Sequence, residues 1–226
     1  MKKITLVLLP GLDGTGELFT SFLAALGSDY STVIVRYINE KYFDDYVESV
    51  VSLLPVHGAV LIAESFSGPI ALEVARRFPH KIDRIVLCAT FASSPFRNLA
   101  RLSGFIPEYF FNLKPLRRFL LQKLCLDSGS EDSGMEDILR VIQAIPACLV
   151  KSRLKVLAGI DMYACLSEIS AQVLYLQAMQ DKLVNVDLGD RLIRSLTNVT
   201  VQMIDGPHLL LQTRPEECAE RIRKFI

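Results

Sequence analysis

The sequence predicts an α/β fold: a mostly parallel sheet of about six strands flanked by helices, carrying one helical insertion. Three observations predict it. Short apolar runs of strand length alternate with helical patterns through short links, the rhythm of repeated βα units. The runs are continuously apolar rather than alternating, as in strands buried on both faces. And from about Ser93 to Ser167 the rhythm stops, to resume at Gln172 and hold to the end of the chain.

In order, Ile4–Leu9 reads as the first strand, followed by the glycine-rich loop Pro10-Gly11-Leu12-Asp13-Gly14-Thr15-Gly16. Leu18, Phe19, Phe22, Leu23 and Leu26 repeat at helical spacing, and Gly27 stops the helix. Thr32–Val35 is a second strand, and Phe43–Leu54 a helix with Tyr46, Val47, Val50 and Val51 on one face. Ala59–Ile62 is a strand, Ile70–Phe78 a helix, and Ile82–Ala89 a strand. The segment 93–167 holds helical pieces separated by prolines, with Asp127–Gly134 as a loop. It is expected as a cap or lid within a single 1–226 domain. Strand Gln172–Ala178, helix Leu188–Leu196, strand Val199–Ile204 and helix Pro215–Phe225 complete the chain.

At 226 residues, half of them hydrophobic, the chain can bury one sizeable core. Lys and Arg together equal Asp and Glu, which argues against nucleic acid or an anionic membrane as the main partner. Five scattered cysteines without a C-x-x-C spacing predict reduced, mostly buried thiols and a reducing, cytoplasmic setting. The apolar run after Met1-Lys2-Lys3 is cut by Pro10-Gly11, too short for a signal peptide, and no run is long enough for a membrane span. No cofactor or metal is called for.

The chemistry centres on Ala63-Glu64-Ser65-Phe66-Ser67-Gly68, a serine at a strand-to-helix junction with small residues two positions to each side. So sharp a turn brings those positions together and presents the serine hydroxyl at the sheet edge. Taking Ser67 as nucleophile would put Pro69 at a small-residue position, so Ser65 is the better choice. A serine needs an imidazole to take its proton and a carboxylate to orient that imidazole. In an open parallel sheet only the carboxyl ends of strands can supply them. His57 and His80 precede strands and lie at the opposite edge; His208 leaves the last strand. Asp181, just past the preceding strand, is the acid, while Asp187 and Asp190 read as the cap and first turn of the next helix and Asp205 as a turn former. The expected oxyanion donors are the backbone N–H groups of Phe66 and of Leu12. Phe105, Tyr109 and Phe110 are candidates for an apolar substrate site, although much of the aromatic bulk around them is expected to pack within the insertion. Lys114, Arg117, Arg118 and Lys123 could meet a coenzyme A phosphate, but read first as a solvated helix face.

These residues resemble the α/β-hydrolase superfamily. Pro10-Gly11-Leu12-Asp13-Gly14 stands where that family has its His-Gly-x-x-Gly loop, and Ala63–Gly68 stands at its nucleophile elbow. Gln177–Val184 is similar to its acid loop and Gly206-Pro207-His208 to its histidine loop, in the order Ser, Asp, His. Ala63, Ser67, Pro10 and Gln177 depart from the family's residues, and its first two antiparallel strands are missing. The resemblance implies an α/β-hydrolase fold and a serine hydrolase of carboxylic esters or thioesters acting through an acyl-enzyme. The loop and elbow also resemble plant plastid esterase/lipase/thioesterase and phytyl ester synthase proteins, so acyl transfer to a lipid alcohol stays open, as does a non-catalytic binding protein of the same fold. A dinucleotide site fits less well, because the glycines are spaced G-x-x-G-x-G and the elbow goes unexplained. Epoxide and haloalkane hydrolases use an aspartate where Ser65 stands.

Overall fold

The computed structural model describes residues 3–95, 106–126 and 133–226. The strands are β1 (Thr5–Leu9), β2 (Ser31–Ile34), β3 (Ala59–Glu64), β4 (Ile82–Cys88), β5 (Gln172–Ala178) and β6 (Val199–Ile204). They form one sheet in the order β2-β1-β3-β4-β5-β6 with every pairing parallel. Between them run α1 (Thr20–Leu26), α2 (Phe43–Leu53) and α3 (Gly68–Arg77), then α4 (Lys114–Leu124), α5 (Ser133–Ala144) and α6 (Ala147–Gly159). After β5 come α7 (Val186–Ser195), the short α8 (Leu210–Thr213) and α9 (Pro215–Phe225).

The period of two along the strands sorts the core into two layers. Val7, Leu9, Leu61, Ala63, Ile85, Leu87, Val173 and Tyr175 pack under α2, α3 and Leu192 of α7. Leu6, Leu8, Val60, Ile62, Val86, Leu174 and Leu176 pack under Phe22 of α1, Leu210 of α8 and Ile222 of α9. Both faces are covered, which is why the strands read as unbroken apolar runs. Strand order reverses between β1 and β3, and Leu9 is paired with Ala63 there. At that switch point the loop after β1 comes close to Ser65: a Cβ on Gly11 would lie 3.9 Å from the Ser65 Cβ.

The structure refines several boundaries. The first helix begins as a 3₁₀ turn, Glu17–Phe19. The expected loop 127–134 falls mostly outside the described residues, but Ser133 and Gly134 belong to α5. Asn185, not Asp187, caps α7: its side chain accepts from the Leu188 N–H, which frees Asp187 for the first turn, where its charge suits the helix dipole. Among the described residues the only strand-like pairing inside 93–167 is an isolated bridge, Ser93 to Asp161.

The bulk of α4 is not packed as expected. Leu121 is buried, but Leu113, Leu116, Phe119 and Leu120 are each at least 40% exposed. Lys114, Arg118 and Lys123 are exposed, whereas Arg117 turns inward to the carbonyls of Ile142, Gln143 and Ile145 at the end of α5. A third apolar cluster joins this helical segment to the rest: Leu121, Leu126, Ile138, Leu139 and Val141 meet Leu18 and Leu209. All five cysteines are free; Cys88 and Cys218 are buried and Cys148 is exposed. Among the described residues no helix is long and apolar enough to cross a membrane.

Candidate active site

Ser65 follows directly on β3 and opens a 3₁₀ turn that runs into α3. Its φ is 47°, a left-handed value that costs a non-glycine residue about 1–3 kcal/mol and persists only where the surroundings over-determine it. The surroundings are specific. The Ser65 carbonyl accepts from the Gly68 N–H and from Thr90 Oγ1 at 2.5 Å, and the Thr90 carbonyl accepts from Tyr175 Oη at 3.0 Å. A Cβ on Gly68 would lie 2.0 Å from Thr90 Oγ1, so glycine is required at that position for the threonine to reach the turn.

The two elbow positions that depart from glycine are both fully buried. Ser67 gains a role from its side chain. Its Oγ donates to the Pro10 carbonyl and accepts from Tyr37 Oη at 2.9 Å, so the elbow is fastened to the loop after β1. Burial pushes the Tyr37 hydroxyl well above its ordinary pKa, which keeps it a donor.

His208 leaves β6 and Asp181 leaves β5, and the sheet register brings both to the edge where Ser65 sits. His208 Nε2 lies 2.8 Å from Ser65 Oγ, and His208 Nδ1 lies 2.7 Å from Asp181 Oδ2. The second carboxylate oxygen, Oδ1, accepts from the Leu183 and Val184 N–H groups at 2.8 Å each. A carboxylate only accepts, so Nδ1 carries the proton and Nε2 is left with its lone pair toward the serine hydroxyl. The histidine is 3% exposed. Leu209 beside it is tied to the Cys125 carbonyl through its N–H and sits in the third apolar cluster, so the helical segment helps to cover the imidazole. His57 and His80 are exposed at the opposite end. Asp205 accepts from Gln180 Nε2 at the surface.

The Leu12 N–H has no acceptor among the described residues, and the Phe66 N–H stands in the first turn of a helix, where no intrahelical acceptor exists. The arrangement therefore holds a hydroxyl hydrogen-bonded to an imidazole nitrogen, and the flanking segments carry two backbone N–H groups not used within the fold among the described residues. Tyr109 and Phe110 stack on each other at 4.3 Å and are 60% and 40% exposed; Phe105 lies outside the described residues.

Sequence reasoning did not find Thr90, Tyr37 or Glu64. Glu64 precedes the serine, is 2% exposed, and accepts from Gln212 Nε2 at 3.2 Å through Oε2. Burial, reinforced by the nearby Asp13 charge, pushes its carboxyl up to about 8. A glutamate inside x-x-Ser-x-x reads as a surface charge until the strand before it is known to be covered on both faces.

The α/β hydrolase fold family model matches residues 4–215. A pimeloyl-[acyl-carrier protein] methyl ester esterase of Methylococcus capsulatus is 31% identical over 77% of this chain and 76% of its own length. A protein of the same name from Aromatoleum aromaticum is 25% identical over 74% of each chain. Among solved structures, a hydrolase from Pseudomonas aeruginosa superposes with a TM-score of 0.87 at 15% identity, covering 99% of this chain and 89% of that one. Sheet order and family match agree, and the chain belongs to the α/β-hydrolase fold family.

Proposed function

We propose that this protein is a carboxylic ester hydrolase working through an acyl-enzyme on Ser65. The observation that carries the reading is the unbroken chain of contacts Ser65 Oγ to His208 Nε2 at 2.8 Å and His208 Nδ1 to Asp181 Oδ2 at 2.7 Å. In the first half-reaction Ser65 Oγ attacks the ester carbonyl while His208 Nε2 takes its proton. Asp181 holds the imidazole and stabilises its cationic form. The carbonyl oxygen becomes an oxyanion between the N–H groups of Leu12 and Phe66. On collapse, His208 returns the proton to the departing alcohol, leaving the acyl group on Ser65. Water then repeats the sequence and releases the acid.

For substrate, the two relatives named as pimeloyl-[acyl-carrier protein] methyl ester esterases favour a small alkyl ester at the end of an acyl chain held by a carrier. The exposed apolar residues Tyr109, Phe110 and Phe119, together with Phe105, are the candidates for contact with such a chain.

The test is hydrolysis of p-nitrophenyl esters, methyl esters of acyl-carrier-bound dicarboxylates and acyl-CoA thioesters of increasing chain length. Ser65→Ala is expected to lower kcat by about 10⁴-fold or more, and Asp181→Asn by about 10⁴-fold, with folding intact. Full turnover by Ser65→Ala would refute the assignment.

A further inference from the structure

The backbone of the loop after β1 is held at five consecutive carbonyls. Pro10 O accepts from Ser67 Oγ, Gly11 O from the Gly14 N–H at 3.1 Å, and Gly14 O from the Tyr37 N–H at 2.8 Å. The two in the middle, Leu12 O and Asp13 O, accept from one side chain: Arg153 Nη1, at 2.9 and 2.6 Å. Arg153 Nη2 donates to Tyr37 O at 2.8 Å. This arginine comes from α6, about 140 residues away in sequence, and is 2% exposed.

Gly11 to Gly14 is a β-turn closed by the bond from the Gly14 N–H to Gly11 O. Its central peptide is Leu12–Asp13. The two common turn types differ chiefly by a flip of that central peptide. A hydrogen bond on the Leu12 carbonyl selects one of them and holds the turn in shape. The bond that closes the turn falls on the Gly11 carbonyl, which shares its peptide plane with the Leu12 N–H, so a fixed turn also fixes the direction of that N–H. Burying a guanidinium against carbonyls, with Nε left without an acceptor among the described residues, is an expensive way to join two elements. Apolar packing would join α6 to the loop at lower cost, so the arrangement points to control of backbone direction. Lysine could not substitute fully, because three carbonyls in different directions call for a planar fork. The space is reserved on the other side too: Gly14 has φ +68°, and a Cβ there would lie 2.4 Å from Arg153 Nη2.

We propose that Arg153 is a positioning residue: by gripping the Leu12 and Asp13 carbonyls it fixes the Gly11–Gly14 turn, and with it the Gly11–Leu12 peptide whose N–H faces the forming oxyanion, which makes the helical segment part of the oxyanion site. This rests on the ester-hydrolase reading above. The arginine touches no reacting atom, so its loss should weaken the transition state and leave ground-state binding almost unchanged.

The experiment compares wild type, Arg153→Met and Arg153→Lys in steady-state hydrolysis of a short p-nitrophenyl ester, with a trifluoromethyl ketone inhibitor as a probe of the oxyanion site and thermal unfolding as the check on folding. Arg153→Met is expected to lose about 10²-fold in kcat, the scale of one misplaced oxyanion donor, with KM within about threefold. The ketone should weaken by a similar factor, and Arg153→Lys should recover part of the loss. A kcat for folded Arg153→Met within about threefold of wild type, or a loss carried by KM, overturns the proposal. If Arg153→Met does not fold, Arg153→Lys decides: reduced kcat at unchanged KM supports it, and wild-type kcat overturns it. Ser65→Ala runs alongside. An active Ser65→Ala means that the reading of the site has failed, whereas an inactive one beside an unaffected Arg153 variant means that only this inference has.

Discussion

Two side chains flanking Ser65 do work that a motif would not assign to them. Ser67 stands where a glycine would satisfy the turn, yet its hydroxyl joins Pro10 O to Tyr37 Oη. Ser67→Ala would leave both partners buried without their bond, and is expected to cost about 1–3 kcal/mol in urea unfolding. Glu64 makes stability depend on pH. Below 4.5 its carboxyl is protonated in both folded and unfolded chains; between 4.5 and about 8 the unfolded chain releases a proton that the folded chain keeps. Its contribution is thus complete at low pH and is lost as pH rises through that window, at about 1.4 kcal/mol per unit, and is flat above it. Urea unfolding of wild type and Glu64→Gln at pH 5.5 and 7.5 should show the difference shifting in favour of the variant at the higher pH. A difference that stays constant would remove the buried-carboxyl account.

At the scale of elements, the segment between β4 and β5 depends on polar clasps as much as on apolar packing. Arg117 of α4 donates to the Ile142, Gln143 and Ile145 carbonyls at and just past the end of α5, where carbonyls run out of intrahelical partners. Burial lowers the guanidinium's pKa without threatening its charge. Arg117→Met should fray that helix end, and hydrogen exchange across 139–146 should quicken by about ten- to a hundredfold, the equivalent of 1.4–2.8 kcal/mol. Unchanged exchange there would mean that apolar contacts hold the helix end. The sequence pattern marks α4 as amphipathic, but Arg117 looks like one more basic residue on a wet face, since the distant carbonyls that claim it carry no sequence signal. The clasp by Arg153 has the same character.

For the molecule as a whole, two apolar layers cover the sheet, and the thiols divide accordingly. Cys88 and Cys218 are fully buried in the layer under α1 and α9, and burial raises both thiols, Cys218 to about 12. Cys148 sits exposed on α6. Iodoacetamide followed by mass spectrometry should therefore modify Cys148 in the folded protein, and reach Cys88 and Cys218 only as fast as the core opens. Modification of Cys88 on the timescale of Cys148 would contradict a closed two-layer core.

The succession of strands and helices along the chain outside 93–167 was legible in the sequence, and so was the placing of Ser65, Asp181 and His208 at one edge of the sheet. Period, turn chemistry and the rule that strand ends share one edge act through near neighbours or through topology, and the contacts at 2.8 and 2.7 Å join the residues so identified. The α7 cap was misread because Asp187 and Asn185 suit a helix start equally, and only the observed bond to Leu188 N–H separates them. Tertiary structure decided the rest. Whether Glu64 is neutral depends on what covers it, whether Ser67 is filler or a fastener depends on Tyr37 thirty residues away, and whether Arg153 is surface charge or a buried clasp on the loop after β1 depends on carbonyls some 140 residues distant. A charged or hydroxyl side chain takes its role from the partners that folding brings to it, and those partners leave no periodic trace in the chain.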